Sequence, residues 1–167
     1  MRFQRTFLPL LLVSLAALPA SAQSVRFGVQ GALTLPAGDL ADSANLGLDL
    51  GGHARWDFGR GHGIMGRVDL NYYGQKNDFT TSSIGVGADY TYHLERTQLG
   101  FYFLAGVSLE RYHRDHPFGT LNDNGLGLDI GAGYDLNRNL GLQARLTSHS
   151  FNHANLTALN LGVTYTF

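Results

Sequence analysis

From residue 24 onward, apolar and polar positions alternate with a period of two, the signature of strands rather than helices. Eight such runs predict strands at about 24–34, 46–58, 64–74, 83–94, 98–111, 125–137, 139–150 and 157–167. One alternating set is apolar throughout: Val25, Phe27, Val29 and Leu33 in the first run, Phe101, Phe103, Ala105, Val107 and Leu109 in the fifth. It closes with Leu159, Leu161, Val163, Tyr165 and Phe167 in the eighth. The opposite set carries Arg26, Asp49, Arg55, Asp57, Arg67, Asp69, Asp89, Glu110, Asp129, Asp135 and Arg145, padded by glycines. Short connections at 59–63, 95–97 and 137–139 alternate with longer ones at about 35–45, 75–82, 112–124 and 151–156. The expectation is an all-β fold, an eight-stranded antiparallel up-and-down transmembrane barrel.

Alternation alone also fits a water-soluble barrel with its apolar face inside. Composition separates the two. Charged residues make up 15% of the chain, against ~25% in a soluble domain. Lysine occurs once, at Lys76, so a wet outer face would be mostly glycine with a few acids. In a membrane the charges must point inward, because each midplane arginine facing lipid costs roughly 2–4 kcal/mol. Summed over the set, that rivals the ~5–15 kcal/mol stability of a whole domain. Each run has about ten or more residues, enough to cross a bilayer at a ~45° tilt. Aromatics fall near the strand ends, which suggests two interfacial girdles. Trp56, Phe58, Tyr90, Tyr92, Phe101, Tyr134, Tyr165 and Phe167 would form one; Tyr72, Tyr73, Phe79, Tyr112, Phe118 and Phe151 the other.

The amino terminus adds a destination. Arg2 and Arg5 precede an apolar run from Phe7 to Leu18, followed by Ala20-Ser21-Ala22. This has the form of a cleaved secretory signal peptide over residues 1–22, leaving a barrel over 23–167. No later stretch approaches the ~20 apolar residues of a membrane helix. The expected location is the outer membrane of a diderm bacterium, with both termini periplasmic, since short turns usually face that side. The chain has no cysteine, so disulfides and thiolate metal sites are excluded. A net charge of −1 gives no electrostatic case for nucleic acid. No cofactor is expected. Outer-membrane lipid is the expected partner of a monomer.

Together the signal peptide, eight alternating strands and aromatic terminus resemble the small eight-stranded outer-membrane barrels of the OmpA/OmpX type. The resemblance covers the whole mature chain and is one of architecture. Its most specific piece is a carboxy-terminal insertion signal, matched here by Asn160, Gly162, Tyr165 and Phe167. It implies the barrel-assembly machinery as a partner during insertion. No peptidoglycan-binding domain follows in this sequence, so a wall-anchoring role is not implied.

The interior of an eight-stranded barrel is just wide enough for side chains to fill it. Arg55, Asp57, Arg67 and Asp69 are expected to face inward on adjacent strands, signs alternating around a quartet. Arg145 and Asp129 are expected to meet in the same way, and His53 or His93 to help balance the excess of acids. Desolvated charges must pair, which favours a plug. Pairs that swap partners would instead make a gate.

Catalysis and metal binding are weaker readings. Lipid A deacylases of this size carry a His-x-Ser-Asn stretch near the end of the seventh strand. Here Ser148-His149-Ser150 has the residue types, but both serines point to the opposite face from His149. His113 and His116 in the third long connection, with His149 and His153 around the fourth, are candidate metal ligands, Asp115 beside them. The leading expectation is a non-enzymatic barrel with a structural or surface-interaction role. The alternatives are a narrow, OmpW-like channel for small solutes or hydrophobic molecules and, behind it, a lipid A-modifying enzyme.

Overall fold

The computed structural model describes residues 25–76, 80–116, 119–150 and 155–167. Its elements are β1 (Val25–Gly38), α1 (Asp39–Ser43), β2 (Gly47–Gly59), β3 (His62–Tyr73), β4 (Thr80–His93), β5 (Gly100–His116), β6 (Gly119–Asp135), β7 (Leu140–Ser150) and β8 (Asn155–Thr166). Every strand pairs antiparallel with the next, and β8 returns to β1, from Gly28↔Thr166 to Gly38↔Leu156. Closure removes both sheet edges, the condition for a sheet to cross where water is absent.

The alternating faces separate as the pattern requires. The apolar set lies outside: Phe27 is 64% exposed and Leu128 68%. The charged set lies inside, where Asp49, Arg55, Arg67, Asp69, Asp89, Glu110, Asp129, Asp135 and Arg145 are all buried. This inversion, apolar outside and ionic inside, is what a lipid solvent selects.

Three local features depart from the sequence reading. First, β1 continues past residue 34, with Leu35, Pro36 and Ala37 paired to Leu159, Ala158 and Thr157. The expected loop is strand and then the short α1. Second, the connection expected at 112–124 is mostly sheet, with β5 and β6 paired out to His116↔Gly119. Polarity there marks where the hairpin leaves the apolar belt, and the ladder itself goes on. Third, the β2–β3 turn is tighter than 59–63. Arg60 and Gly61 both take positive φ (55° and 85°), the two-residue turn that matches strand twist. The ladder closes at Gly59↔His62 after a bulge beside Asp57. The register therefore moves by two residues: Arg67 pairs with His53, not Arg55.

The end bearing the long connections is capped. Leu40 of α1 is fully buried and packs with Ala44, Tyr73, Tyr112, Leu156 and Ala158 into one apolar cluster. The Asp39 carboxylate accepts from the Asn155 amide (3.0 Å), and Lys76 donates to the Ala41 carbonyl, which ties α1 down. Tyr73 and Tyr112 stack at 6.4 Å inside this lid. They are thus not part of an outer girdle, although Tyr72 faces out. Phe79, Phe118 and Phe151 lie outside the residues whose side chains are described. At the opposite end, Trp56 and Phe58 (5.0 Å), Phe101 and Tyr134 (5.8 Å), and Tyr165 and Phe167 (5.7 Å) contact one another as a belt.

Candidate functional site: the charged lumen

The lumen is layered. At the centre Arg67 bridges three carboxylates: Nη1 donates to Asp69, Nε to Asp89 at 2.9 Å, and Nη2 to Asp129 at 2.6 Å. A guanidinium suits this position because its rigid fork presents several donors in one plane. Thr147 donates to the other oxygen of Asp129 (2.6 Å). Arg145 is held more loosely, 3.4 Å from Asp49, 3.6 Å from Asp69 and 3.9 Å from Asp89. Its Nε and Nη1 have no hydrogen-bond partner. Two cavities flank it, each of about 20 Å³, room for about one water. Toward the short-turn end, Arg55 donates to Asp135 at 2.7 Å, and His93 lies 3.0 Å from the same carboxylate oxygen. The Arg55 guanidinium also sits 5.1 Å above the Tyr102 ring. At the rim Arg26 pairs with Asp57 at 3.1 Å.

The expected quartet is therefore not what forms. Arg67 and Asp69 do meet, but Arg55 takes Asp135 and Asp57 takes Arg26. Arg145 and Asp129 do not meet; Asp129 belongs to Arg67. The two-residue register shift and the narrow bore account for this, since a long side chain reaches across the lumen more readily than along the wall. His53 contacts a hydroxyl, Thr166 at 3.0 Å, rather than an acid. Inward glycines make the room. A Cβ on Gly87 would sit 2.7 Å from the Arg67 guanidinium carbon, and one on Gly28 would meet the His53 ring at 2.4 Å. That was the available signal: a glycine opposite a large polar residue on the next strand marks a side chain lying flat across the wall.

A second group lies between the ionic centre and the lid. Ser108 Oγ is 3.1 Å from His149 Nε2, and His149 Nδ1 is 3.0 Å from the Glu110 carboxylate. Asn71 (3.0 Å) and Ser83 donate to the other Glu110 oxygen. Hydroxyl, imidazole and carboxylate stand in the order used by nucleophilic serines. Sequence reasoning missed Ser108 because it comes from β5, two strands from His149, with Gly127 between them. The neighbouring serines face outward instead, Ser148 to Thr157 (3.1 Å) and Ser150 to Asn155 (3.1 Å). The adjoining cavity, about 20 Å³, admits a water and no acyl group. Buried under Tyr112 and the lid, this row packs the upper lumen.

Among the described residues, the candidate metal ligands do not converge. His113 is exposed, bonded to Asn122 (2.8 Å) and Asp115 (3.2 Å), while His149 points into the lumen. The His116 side chain and His153 lie outside the described residues. In the carboxy-terminal signal, Asn160 points inward and accepts from Thr34 (2.6 Å), Gly162 abuts Ala32, and Tyr165 and Phe167 face out.

Comparisons with known proteins agree with this architecture. The chain is similar to Neisserial surface protein A, at 18% identity over 88% of this chain and 100% of that one, with a TM-score of 0.62. It is similar to the attachment invasion locus protein Ail of Yersinia pestis, solved in complex with the heparin analogue sucrose octasulfate. There the identity is 17% over 87% and 97% of the two chains, with a TM-score of 0.55. It is also similar to the amino-terminal β-barrel domain of Pseudomonas aeruginosa OprF, at 14% identity over 87% and 99%, with a TM-score of 0.58. At these identities the likeness is one of fold. No curated protein matches the chain. Residues 7–167 match the family described as the outer membrane protein β-barrel domain, and the chain belongs to that family.

Proposed function

We propose that this barrel is a closed, non-enzymatic element of the outer membrane, which stiffens the bilayer and displays its long-connection end at the cell surface. The observation that carries this reading is the filled lumen. Arg67 is locked to three carboxylates, and the lid of Leu40, Tyr73, Tyr112 and Leu156 closes the bore above it. Opening such a lumen means separating desolvated charges, a step of about 3–5 kcal/mol for each broken buried pair. In this reading the short turns and both termini are periplasmic, and residues 1–22 are the removed signal.

The chain has no cysteine, so orientation is testable with single introduced ones. Gln75→Cys is expected to react with an impermeant maleimide on intact cells, and Arg96→Cys only after the envelope is opened. The reverse pattern would overturn the orientation. Deletion of the protein is expected to raise sensitivity to detergent and bile salts, and unchanged envelope integrity would count against a stiffening role. A narrow channel is the second reading, favoured by the two cavities beside Arg145 and by its long ion-pair distances. In that reading Arg145, rather than Arg67, is the residue that moves.

A further inference from the structure

Each of the three short turns carries one exposed arginine: Arg60 between β2 and β3, Arg96 between β4 and β5, Arg138 between β6 and β7. Each stands two residues past an exposed, outward apolar side chain: Phe58, Leu94 and Leu136. None of the three forms an ion pair among the described residues. The acid nearest in sequence, Glu95, lies with its carboxylate against Gly100.

Backbone geometry makes this placement informative. Arg60 and Arg96 have φ of 55° and 57°, in the left-handed region where glycine and asparagine sit at least cost. An arginine at such a position points to a role for its side chain. The rim is also fixed in place. Arg26 donates to the Arg138 carbonyl (2.9 Å), to Gln98 (3.1 Å) and to Asp57 (3.1 Å), tying two of the turns to β2. The chain turns back just past each of these side chains, so each arginine lies in the turn itself, beyond the outward apolar row. The headgroup layer is about 5–7 Å deep on each side of the hydrocarbon. With Phe58, Leu94 and Leu136 at the hydrocarbon edge, the turns just beyond them bring the three arginines to the headgroup layer. There the planar fork of arginine binds phosphate oxygens two at a time.

We infer that Arg60, Arg96 and Arg138 form a collar that binds anionic phospholipid headgroups in the leaflet at the short-turn end. The orientation proposed above makes this the periplasmic leaflet; the binding itself does not depend on it. An arginine near an anionic surface favours it roughly fivefold before salt screening, so three of them on one rim give a measurable preference.

The test is native mass spectrometry of the barrel ejected from nanodiscs containing equal phosphatidylglycerol and phosphatidylcholine. The wild type is expected to retain phosphatidylglycerol by about threefold or more over phosphatidylcholine. A variant with Arg60→Asn, Arg96→Asn and Arg138→Asn is expected to retain both alike. Asparagine tolerates the left-handed backbone, so the variant stays folded, as a heat-dependent gel shift will verify. Equal retention by the wild type, or a preference that survives the triple substitution, would overturn the inference. So would sedimentation of the wild type with purified peptidoglycan, lost in the triple variant, without any lipid preference.

Discussion

Arg67→Met tests whether the ionic centre holds the barrel together. The substitution keeps most of the side-chain length and removes all three donors, stranding Asp69, Asp89 and Asp129 at the buried centre of the lumen. Charge-assisted hydrogen bonds contribute about 1.5–3 kcal/mol each, so three give an upper figure near 4.5–9 kcal/mol. The stranded acids can take up protons, which limits the loss to about 3–5 kcal/mol, the range for a broken buried pair. Arg145→Met removes contacts of 3.4–3.9 Å from a guanidinium with two unpartnered nitrogens, and is expected to cost about 1–2 kcal/mol. Trp56, the single tryptophan, stands on the outer wall beside Phe58 and reports folding by its emission. Urea unfolding from vesicles, with a slope of ~1–3 kcal/mol per molar, should move the midpoint down by about 1 M or more for Arg67→Met. An equal or larger loss for Arg145→Met would refute the ranking, as would a cost below ~1 kcal/mol for Arg67→Met.

Other outcomes follow from the same contacts. Asp49→Asn is expected to be neutral or slightly stabilising in that urea assay, because the centre holds more carboxylates than guanidiniums and one Asp49 oxygen has no partner. Gly127→Ala is expected to cost about 1–3 kcal/mol, since its Cβ would sit 2.4 Å from the His149 ring and 2.8 Å from Ser108 Oγ. Ala105→Arg, in the middle of the outward row of β5, should destabilise the barrel by ~2–4 kcal/mol, while Ala105→Leu leaves the urea midpoint nearly unchanged.

Period-two alternation carried most of the architecture, because in a barrel it is a direct readout of which side meets lipid. Phe101 to Leu109 face out and Arg67, Asp89 and Arg145 face in, with no tertiary information needed. The partners of those charges were less legible. They depend on register, and register here turned on Arg60, a non-glycine residue at positive φ that closes a two-residue turn where a five-residue one was expected. Arg55 and Asp135 meet across the bore only because the sheet closes, and Ser108 reaches His149 over Gly127 of the strand between them. Polarity misled where the hairpin passes out of the apolar belt, so Tyr112–His116 read as loop. The lid was invisible because Leu40, Tyr73, Tyr112 and Leu156 come from four separate segments with no shared motif.

Solute flux is the most direct test of a closed lumen. The barrel would be refolded into liposomes, its folding checked by gel shift, and the release of small ions and sugars followed against protein-free vesicles. Wild-type flux at background, with flux appearing when Arg67→Met is combined with Leu40→Ala to remove both the ionic centre and the lid, is the result the account predicts. Steady flux through the wild type that disappears on changing Arg145 would contradict it and make the protein a channel.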